Sequence, residues 1–379
     1  MQINSYSNWL CLILFFLSPA LLNLSLAKSA ENNNARLANT DYFNVKTYGA
    51  KGDGKTDDTK HIQAAINAAA LAGGVVYFPN GIYNIAGPVH KEVNGSPCHA
   101  QLYIPYCDPK TNKNIVFQGE TAPEFELQGI VEINPSTFGA ILHSTIVSQE
   151  ANEFVIAMVK GPEGPWSQWN YNTPSFKDLG IRTTTLKNGE PIMNSLGGIN
   201  LRYASKCYID NVLIDTNCPL SISKNPESGK SIGLITPEVN NHAMISVGLV
   251  RIAGYATGLI FSEHFVGKDI QLVCCNVGAI VEKSHHSSSI QTLEVECCNY
   301  SLLFHPGHNL FVANYNTEHF TDDKWFKFKQ DIHFEGENYH PSKIVIGLCH
   351  PVVSYVGYQF EHFSTNDSKR VVLLENLGK

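Results

Sequence analysis

The sequence predicts an all-β protein, a single-stranded right-handed parallel β-helix (solenoid) with an N-terminal capping helix. Three observations support this fold class. Similar apolar segments recur at intervals of twenty to twenty-three residues, these segments are short and alternate apolar with polar side chains, and one amphipathic helical pattern precedes them. Because each coil of a solenoid contacts only its neighbours, one elongated domain of more than three hundred residues is expected.

The predicted capping helix begins after residue 56. Thr56 or Asp57 is expected to cap its first turn, and Gly73-Gly74 is expected to end it. Its apolar stripe consists of Ile62, Ala65, Ile66 and Ala69. So thin a stripe suits a helix that lies across the end of a larger structure. The residues that follow predict a strand at 75–78, a turn at 79–81 and a returning strand at 82–85.

The segment before this helix also fits a different motif. Residues 49–56 match the phosphate-binding loop pattern G-x-x-x-x-G-K-[ST]. However, Asp53, Asp57 and Asp58 would repel phosphate groups at the helix N-terminus. The predicted strand at 43–48 alternates apolar and polar side chains, whereas a central strand of a nucleotide-binding sheet is almost wholly apolar. We therefore interpret the aspartates as structural and reject nucleotide binding.

Residues 43–83 carry a family signature. Its parts are Phe43-Asn44-Val45, Tyr48-Gly49-Ala50, Gly52-Asp53-Gly54, Thr56-Asp57-Asp58-Thr59, Ile62-Gln63-Ala64-Ala65-Ile66, Gly73-Gly74-Val75-Val76-Tyr77-Phe78-Pro79 and Gly81-Ile82-Tyr83. The segment resembles the N-terminus of the pectate-lyase-like superfamily, which includes rhamnogalacturonase/epimerase-type domains, polygalacturonase-like glycoside hydrolases and phage tailspikes. The resemblance implies a β-helix capped by this segment, with the chemistry further along the chain.

The N-terminal forty residues predict export. An apolar run from Trp9 to Ala27 ends in Ser25-Leu26-Ala27, a small-x-small cleavage pattern, so residues 1–27 are interpreted as a signal peptide. Residues 28–40 are polar and predict a disordered leader. Residues 41–379 then form the pectate-lyase-like parallel β-helix domain. The mature protein is expected to be secreted (extracellular or periplasmic) and not attached to a membrane.

Cysteines recur with the coil period. Cys274-Cys275-Asn276 is repeated as Cys297-Cys298-Asn299, which predicts asparagines bonding coil to coil and cysteines stacked in the interior. Adjacent cysteines point to opposite faces of a strand, which disfavours a zinc cage of four thiolates, and no metal site is predicted. In an exported protein, the candidate disulfides are Cys98–Cys107 and Cys207–Cys218.

The charge of the chain narrows its partners. A formal net charge of −7 without basic clusters argues against nucleic-acid binding. A polysaccharide, including an acidic one, stays open because a local cleft on an acidic protein can be basic. No cofactor is predicted, and calcium would enter only in a lyase. The sequence does not resolve whether the protein is a monomer or a homotrimer.

Candidate catalytic residues follow from their positions on the coils. The Asn-Thr-Asp, Asp-Asp, Gly-His-Gly and Arg-Ile-Lys clusters of polygalacturonase-like members do not occur in order on the coils here. With Val250, Ile270 and Leu293 inside, the side chains that point outward on one face are Arg251, Gln271, Glu294 and Glu296. Glu282 and His305 form a second outward column, with Ser262 one coil before them. The candidate catalytic set is Glu294, Glu296, Arg251 and His305.

Further candidates lie nearby. The acid–base alternatives are His285 and His286, and Glu318 with His319 is a second choice on the next coil. Trp166, Trp169 and Tyr171, in a Gly/Pro-rich excursion at 161–174, are the candidate substrate-binding residues because aromatic faces stack on sugar rings. The competing interpretation is that the outward charges are solvated, the paired histidines form an exposed turn and the aromatic residues pack locally.

The functional expectation is a secreted polysaccharide-active β-helix protein, a glycoside hydrolase acting on a uronate-containing polysaccharide. Carboxylates on neighbouring coils suit the paired acids of a hydrolase. One alternative is a polysaccharide lyase or epimerase, in which a base removes the proton beside a uronate carboxyl. The other is a non-catalytic carbohydrate-binding or adhesive β-helix.

Overall fold

The computed structural model describes residues 41–106, 114–123, 126–128, 132–134, 138–161, 173–188, 190–217, 229–237, 245–283, 286–318, 330–335, 342–352 and 370–376. The chain divides into two units, Met1–Asp41 and Tyr42–Lys379, and only Asp41 of the first unit is described. The predicted signal peptide (1–27) and leader (28–40) therefore lie outside the described residues. In the described ranges, no helix is both long and apolar enough to cross a membrane.

The described residues contain one α-helix, α1 (Thr59–Ala72), and a short 3-10 helix at Val45–Tyr48. The strands are β1 (Tyr42–Asn44), β2 (Asp53–Asp57), β3 (Gly74–Phe78), β4 (Gly81–Ile85), β5 (His90–Val93), β6 (Ser96–Ile104), β7 (Ile115–Gly119), β8 (Glu126–Gln128), β9 (Glu132–Asn134), β10 (Ala140–Ser144), β11 (Phe154–Met158), β12 (Ser175–Thr183), β13 (Leu186–Lys187), β14 (Glu190–Pro191), β15 (Gly197–Asn200), β16 (Cys207–Thr216), β17 (Ile232–Ile235), β18 (Ile245–Ala253), β19 (Thr257–Phe261), β20 (Phe265–Val273), β21 (Val277–Val281), β22 (Ser288–Glu296), β23 (Tyr300–Phe304), β24 (Asn309–Glu318), β25 (Gln330–Phe334), β26 (Lys343–Val352) and β27 (Val371–Asn376).

Two long sheets organise these strands. The larger has 14 strands, with the main order β1-β3-β7-β12-β16-β18-β20-β22-β24-β26-β27, and the smaller has 9, in the order β25-β23-β21-β19-β17-β15-β11-β6-β5. From β15 to β25 the chain alternates between the two sheets, and each strand pairs in parallel with its counterpart one coil away. The architecture is therefore that of a parallel β-helix.

The coil period agrees with the sequence. Val250 pairs with Ile270, Ile270 with Leu293 and Leu293 with Tyr315, so successive coils are 20, 23 and 22 residues apart. These four residues are buried in one continuous core, together with Ile252 and its equivalents Leu272 and Val295 on the next two coils. Because side chains alternate across a strand, the residues between them face outward in columns that run from coil to coil.

The first turns of the chain are held by Asp58. Its side chain is buried, and its carboxylate accepts hydrogen bonds from the backbone N–H groups of Lys51 and Gly52, at 2.7 and 2.9 Å. These are the donors that a phosphate-binding loop would offer to its ligand, so the structural interpretation of this aspartate is confirmed. Asp57 accepts from the N–H of Thr59, the first residue of α1, but Asp58 occupies the N-cap position predicted for Thr56 or Asp57.

Helix α1 packs its predicted stripe into the core. Ile62, Ala65, Ile66 and Ala69 are buried there. Gln63 meets the backbone of β6 with two hydrogen bonds of 2.9 Å, one to the carbonyl and one from the N–H of Tyr103. The amide of Gln63 thus satisfies backbone groups that a neighbouring strand would otherwise pair, and α1 covers this part of the sheet edge.

One predicted local element is wrong, and another is present with different strand partners. The predicted strand at 43–48 ends at Asn44, because the Asn44 side chain accepts from the N–H of Lys46 and starts the short 3-10 helix. The predicted returning strand exists as β4, but it does not pair with β3. β3 pairs in parallel with β1 and β7, whereas β4 pairs with β2 and β10. The turn between them redirects the chain within a coil and does not close a hairpin.

The asparagine ladder is confirmed, because the side-chain amide of Asn299 donates to the Asn276 oxygen at 2.9 Å. The four cysteines of the two Cys-Cys dipeptides are buried free thiols, as predicted, and Cys275 and Cys298 lie in the core. They occupy turns after β20 and β22 instead of strands, with Cys274 and Cys297 in left-handed conformations, at φ of 54° and 53°.

The predicted disulfides are wrong. Cys98 and Cys207 are free thiols, while their predicted partners, Cys107 and Cys218, lie outside the described residues. Burial raises the pKa of the Cys98 thiol to about 11 and raises that of Cys207 further. Cys98 packs with Ala100 and Phe154, and Cys207 lies in the main core. Both therefore serve as small hydrophobic groups of the interior.

Candidate active site

Two columns of stacked positions, one polar throughout and one polar only on its last two coils, lie side by side on the larger sheet across strands β18 to β24. Strand register defines the first column as Arg251, Gln271, Glu294 and Asn316. The second column lies two residues further along each strand and consists of Ala253, Val273, Glu296 and Glu318. We call the three acids Glu294, Glu296 and Glu318 the carboxylate cluster.

The sequence-predicted residues Arg251, Glu294 and Glu296 are thus brought to one face. Their outward positions follow from the buried residues between them, since Ile252, Leu272 and Val295 point into the core. Glu318, a second choice from the sequence, joins the cluster because Glu296 pairs directly with it across β22 and β24. Its predicted companion His319 lies outside the described residues.

Glu296 has the most perturbed carboxyl group in the cluster. The pKa of Glu296 is raised to about 7, chiefly by burial and also by the negative charges of Glu294 and Glu318 and a hydrogen bond shared with Glu294. The amide of Gln271 opposes this rise by donating to the Glu296 carboxylate at 3.2 Å. A carboxyl with this pKa can give or take a proton near neutral pH, which is the property of a general acid or base.

His305 lies elsewhere. It follows β23 in the smaller sheet, where its Nδ1 is 3.2 Å from the Glu282 carboxylate and its Nε2 is 3.3 Å from Glu335. The predicted column of Glu282 and His305 is therefore confirmed. His305 belongs to neither of the two columns that hold Arg251, Glu294 and Glu296, and its catalytic role stays a prediction.

The substrate-binding and acid–base roles predicted for the remaining candidates stay predictions. Trp166, Trp169, Tyr171 and His285 lie outside the described residues. His286 is described, and it contacts Glu263 on the preceding coil instead of the carboxylate cluster.

Sequence reasoning missed a buried polar group on earlier coils of the same sheet. Arg182 and Asp215 pair directly across β12 and β16, and the guanidinium binds the carboxylate through two hydrogen bonds of 2.7 Å. Both side chains are almost fully buried. Burial raises the pKa of Asp215, and the Arg182 charge opposes that rise. No repeat pattern marked these residues, because an excursion containing β13 and β14 interrupts the coil after Arg182.

His143 extends this group by one coil, because it pairs with Arg182 across β10 and β12. Its Nε2 lies 3.1 Å from the Thr184 hydroxyl, and burial together with the Arg182 charge lowers the pKa of His143 to about 4. The imidazole is therefore neutral at ordinary pH.

The Arg182–Asp215 pair lies in line with the carboxylate cluster. Since Ile214 pairs with Ile252, Asp215 stacks on Ala253 and belongs to the same column as Glu296, which is three coils, or about 14 Å, from Asp215.

Curated proteins that resemble this chain do so over short segments. Alginate lyase 7 of Azotobacter vinelandii is 65% identical over 46 residues, 12% of this chain and 5% of that protein. Mannuronan C5-epimerase AlgE3 of the same organism is 61% identical over 63 residues, 16% of this chain and 3% of the relative. A probable glucan endo-1,3-beta-glucosidase of Arthroderma benhamiae is 49% identical over 53 residues, 14% of this chain and 6% of the relative. The chain thus matches less than a tenth of each relative's length.

Solved structures match more of the chain at lower similarity. The Streptococcus pneumoniae surface protein and adhesin PfbA is 12% identical with a TM-score of 0.36, over 88% of this chain and 96% of that one. The A-module of Azotobacter vinelandii mannuronan C-5 epimerase AlgE4 is 13% identical with a TM-score of 0.30, over 83% and 100%. At these scores the overlays add nothing to a fold that rests on strand pairing.

The family comparison covers more than half of the chain. Residues 42–303, which run from β1 to the last coil before β24, match the family described as rhamnogalacturonase A/epimerase, pectate lyase-like. The match includes the Asp58-bound N-terminal turns, the Arg182–Asp215 pair and two of the three acids of the carboxylate cluster. The chain therefore belongs to the rhamnogalacturonase A/epimerase family of pectate lyase-like proteins.

Proposed function

We propose that this protein is a polysaccharide-active enzyme, a glycoside hydrolase that uses the carboxylate cluster on a uronate-containing chain. The observation that carries the proposal is Glu296, whose pKa is raised to about 7 beside two further acids. Glycoside hydrolysis requires this combination, one carboxyl that keeps a proton near neutral pH and another that is ionised.

The register of the cluster suits a two-step reaction. Glu296 and Glu318 pair directly, so their backbones are about 4.8 Å apart. Retaining enzymes hold their carboxyl groups about 5–5.5 Å apart, closer than inverting ones. In our proposal, Glu296 protonates the glycosidic oxygen as its bond to C1 breaks, and the Glu318 carboxylate forms a bond to C1. Water then displaces Glu318 from C1 and gives a proton to Glu296, which restores both groups.

The neighbouring column supports an acidic sugar as substrate. Arg251, Gln271 and Glu294 stand on consecutive coils, so a positive charge and an amide lie beside the acids. A guanidinium binds a carboxylate through paired charge-assisted hydrogen bonds, which matches the uronate group of such a polymer. We assign Arg251 to substrate binding and not to proton transfer.

A lyase or epimerase is the second candidate, and the names of the curated relatives favour it, since they include an alginate lyase and mannuronan C5-epimerases. Both reactions begin with removal of the proton beside the uronate carboxyl. Glu296 in its ionised form would serve as that base near neutral pH. The same residue is thus central to both candidates, and the products distinguish them.

The test is digestion of a polysaccharide panel that includes pectic, alginate and β-1,3-glucan polymers, followed by mass and NMR analysis of the products. Fragments carrying an added water would support the hydrolase. Unsaturated fragments would support a lyase, and an unshortened polymer with altered sugar configuration would support an epimerase. If every polymer of the panel stays unchanged and the protein binds one of them, the result would contradict catalysis and indicate a binding protein.

A further inference from the structure

We propose a second site, a binding site for a divalent transition metal such as Zn²⁺, formed by Glu263, His264 and His286. Glu263 and His264 occupy the turn between β19 and β20, and His286 precedes β22 on the next coil. His264 directly precedes the first residue of β20, whereas Gln271 lies near the end of that strand. Because Gln271 pairs with Glu294, the proposed site lies at the opposite end of the strand from the carboxylate cluster.

Three ligand atoms converge here. One nitrogen of each histidine and one oxygen of Glu263 all lie within 4.8 Å of one another. The Nδ1 of His286 is 3.0 Å from the Glu263 carboxylate, and the rings of His264 and His286 are stacked, with centroids 4.5 Å apart and planes at 27°. Donors this close need only a small closing movement to bind one ion at about 2.0–2.2 Å each.

His264 supplies an independent observation. Its Nε2 is buried and has no hydrogen-bond partner among the described residues, although buried imidazole nitrogens are normally paired. Its backbone also adopts the left-handed conformation, with φ of 59°. A non-glycine residue in this conformation is strained, and such residues cluster at functional sites. The strained backbone and the unpaired nitrogen belong to the same residue.

The turn that carries these ligands is firmly held. The carbonyl of His264 accepts from the N–H of Ile245, and the carbonyl of Ser262 accepts from the Ser288 hydroxyl at 3.0 Å. The same hydroxyl accepts from the N–H of Phe265. Ser288 thus ties the coil of Glu263 and His264 to the coil of His286, so the ligands on the two coils keep their relative positions without a metal.

The donor set selects the class of metal. Two imidazoles and one carboxylate suit Zn²⁺ and its transition-metal neighbours, whereas Ca²⁺ and Mg²⁺ prefer oxygen ligands. The side chain of Glu263 is only 10% exposed, so its charge would be well placed to balance that of a bound ion. His286 is 53% exposed and gives the ion a path from solvent. Three protein ligands leave one tetrahedral position for water.

The experiment uses the untagged full chain, freed of metal with a chelator. Titration calorimetry with Zn²⁺ is expected to show one ion per chain, and Co²⁺ is expected to give the visible spectrum of a tetrahedral complex. His264→Asn, His286→Gln and Glu263→Gln should each weaken Zn²⁺ binding by about a hundredfold or more, since even loss of an outer-shell partner costs about 10–100-fold. Asparagine is chosen at 264 because it tolerates the left-handed backbone.

His305→Gln is the matched control, because His305 also contacts two carboxylates, those of Glu282 and Glu335, outside the proposed site. It should bind Zn²⁺ as the wild type does. Circular dichroism of each metal-free variant checks its fold. If His264→Asn does not fold, the Zn²⁺ affinity of His286→Gln decides the question, because His286 is exposed. The proposal is overturned if the wild type takes up no Zn²⁺, or if E263Q and H286Q bind it as tightly as the wild type.

Discussion

At the scale of single residues, the stacking of coils gives Glu296 neighbours that change its pKa. The alternation of β22 places it outward, but an outward glutamate alone would have an ordinary acidity. Gln271 on one neighbouring coil, Glu318 on the next and Glu294 on its own strand change that environment. Its proton affinity is therefore a property of three coils together.

Glu296 should make the stability of the fold depend on pH. Its pKa of about 7 in the folded protein exceeds the ordinary 4.5, so between these values the folded state keeps a proton that the unfolded chain releases. Stability is then full below about pH 4.5 and falls as pH rises toward 7. Glu296→Gln lacks this fall. The free energy of unfolding of the variant, relative to that of the wild type, should therefore rise by about 2 kcal/mol between pH 4.5 and pH 8, after allowing for solvent screening.

Urea denaturation of both proteins at the two pH values measures this difference. Glu150→Gln, at an exposed position in a turn, is the control and should follow the wild type at both values. Parallel behaviour of E296Q and the wild type would show that the Glu296 carboxyl has an ordinary pKa.

The sequence located some site residues and not others for identifiable reasons. Arg251, Glu294 and Glu296 sit in strands whose buried residues repeat clearly, so their direction could be predicted. His305 was placed with its true neighbour Glu282, but the sequence does not reveal that this column belongs to the other sheet. Cys98 and Cys207 were assigned by spacing in the chain, which does not report that both thiols are buried in the interior.

At the scale of secondary-structure elements, the Arg182–Asp215 pair joins β12 to β16 in a buried environment. Asp215→Asn removes the carboxylate charge that faces the buried guanidinium, and we expect a loss of about 3–5 kcal/mol in the free energy of unfolding. The double variant Arg182→Met with Asp215→Leu removes both charges and should lose less than D215N alone. Chemical denaturation of the three proteins measures both values. A double variant that loses more than D215N would contradict this expectation, because it would show that the buried guanidinium left by D215N is not what destabilises the single variant.

The N-terminal turns offer a second test at this scale. Asp58→Asn removes a buried carboxylate that receives two backbone hydrogen bonds, and bonds to charged groups contribute about 1.5–3 kcal/mol. Thermal unfolding should therefore shift clearly downward. Asp53→Asn is the control, because Asp53 also accepts two backbone hydrogen bonds, from Lys55 and Thr56, but at an exposed position. If D53N lowers the unfolding temperature as much as D58N, burial of Asp58 is not what fixes these turns.

At the scale of the whole molecule, the fold class was the most predictable property. A parallel β-helix repeats one coil, and the repeat from Val250 onward carries its period in the sequence. The first coils were harder to predict, because β3 and β4 read as a hairpin when only local turn signals are considered. Their partners, β7 and β10, lie far along the chain, and only the coiled path brings them together.

The carboxylate cluster is also assembled at this scale. Glu296 and Glu318 lie in separate segments and are brought together by the register of β22 and β24. Arg251 reaches the same face from two coils before Glu294. The solenoid thus assembles residues from separate coils into one polar surface, along which an extended polysaccharide could lie.

The most direct test of this account is the rate at which Glu296→Gln acts on the polysaccharide that the wild type modifies. Glutamine keeps the size of the side chain and the hydrogen-bonding partner of Gln271 but cannot transfer a proton. The rate should fall by about 10²–10⁴-fold, the usual contribution of a positioned acid or base, while Glu150→Gln keeps the wild-type rate. A folded E296Q variant with the wild-type rate would contradict the assignment of the carboxylate cluster as the active site.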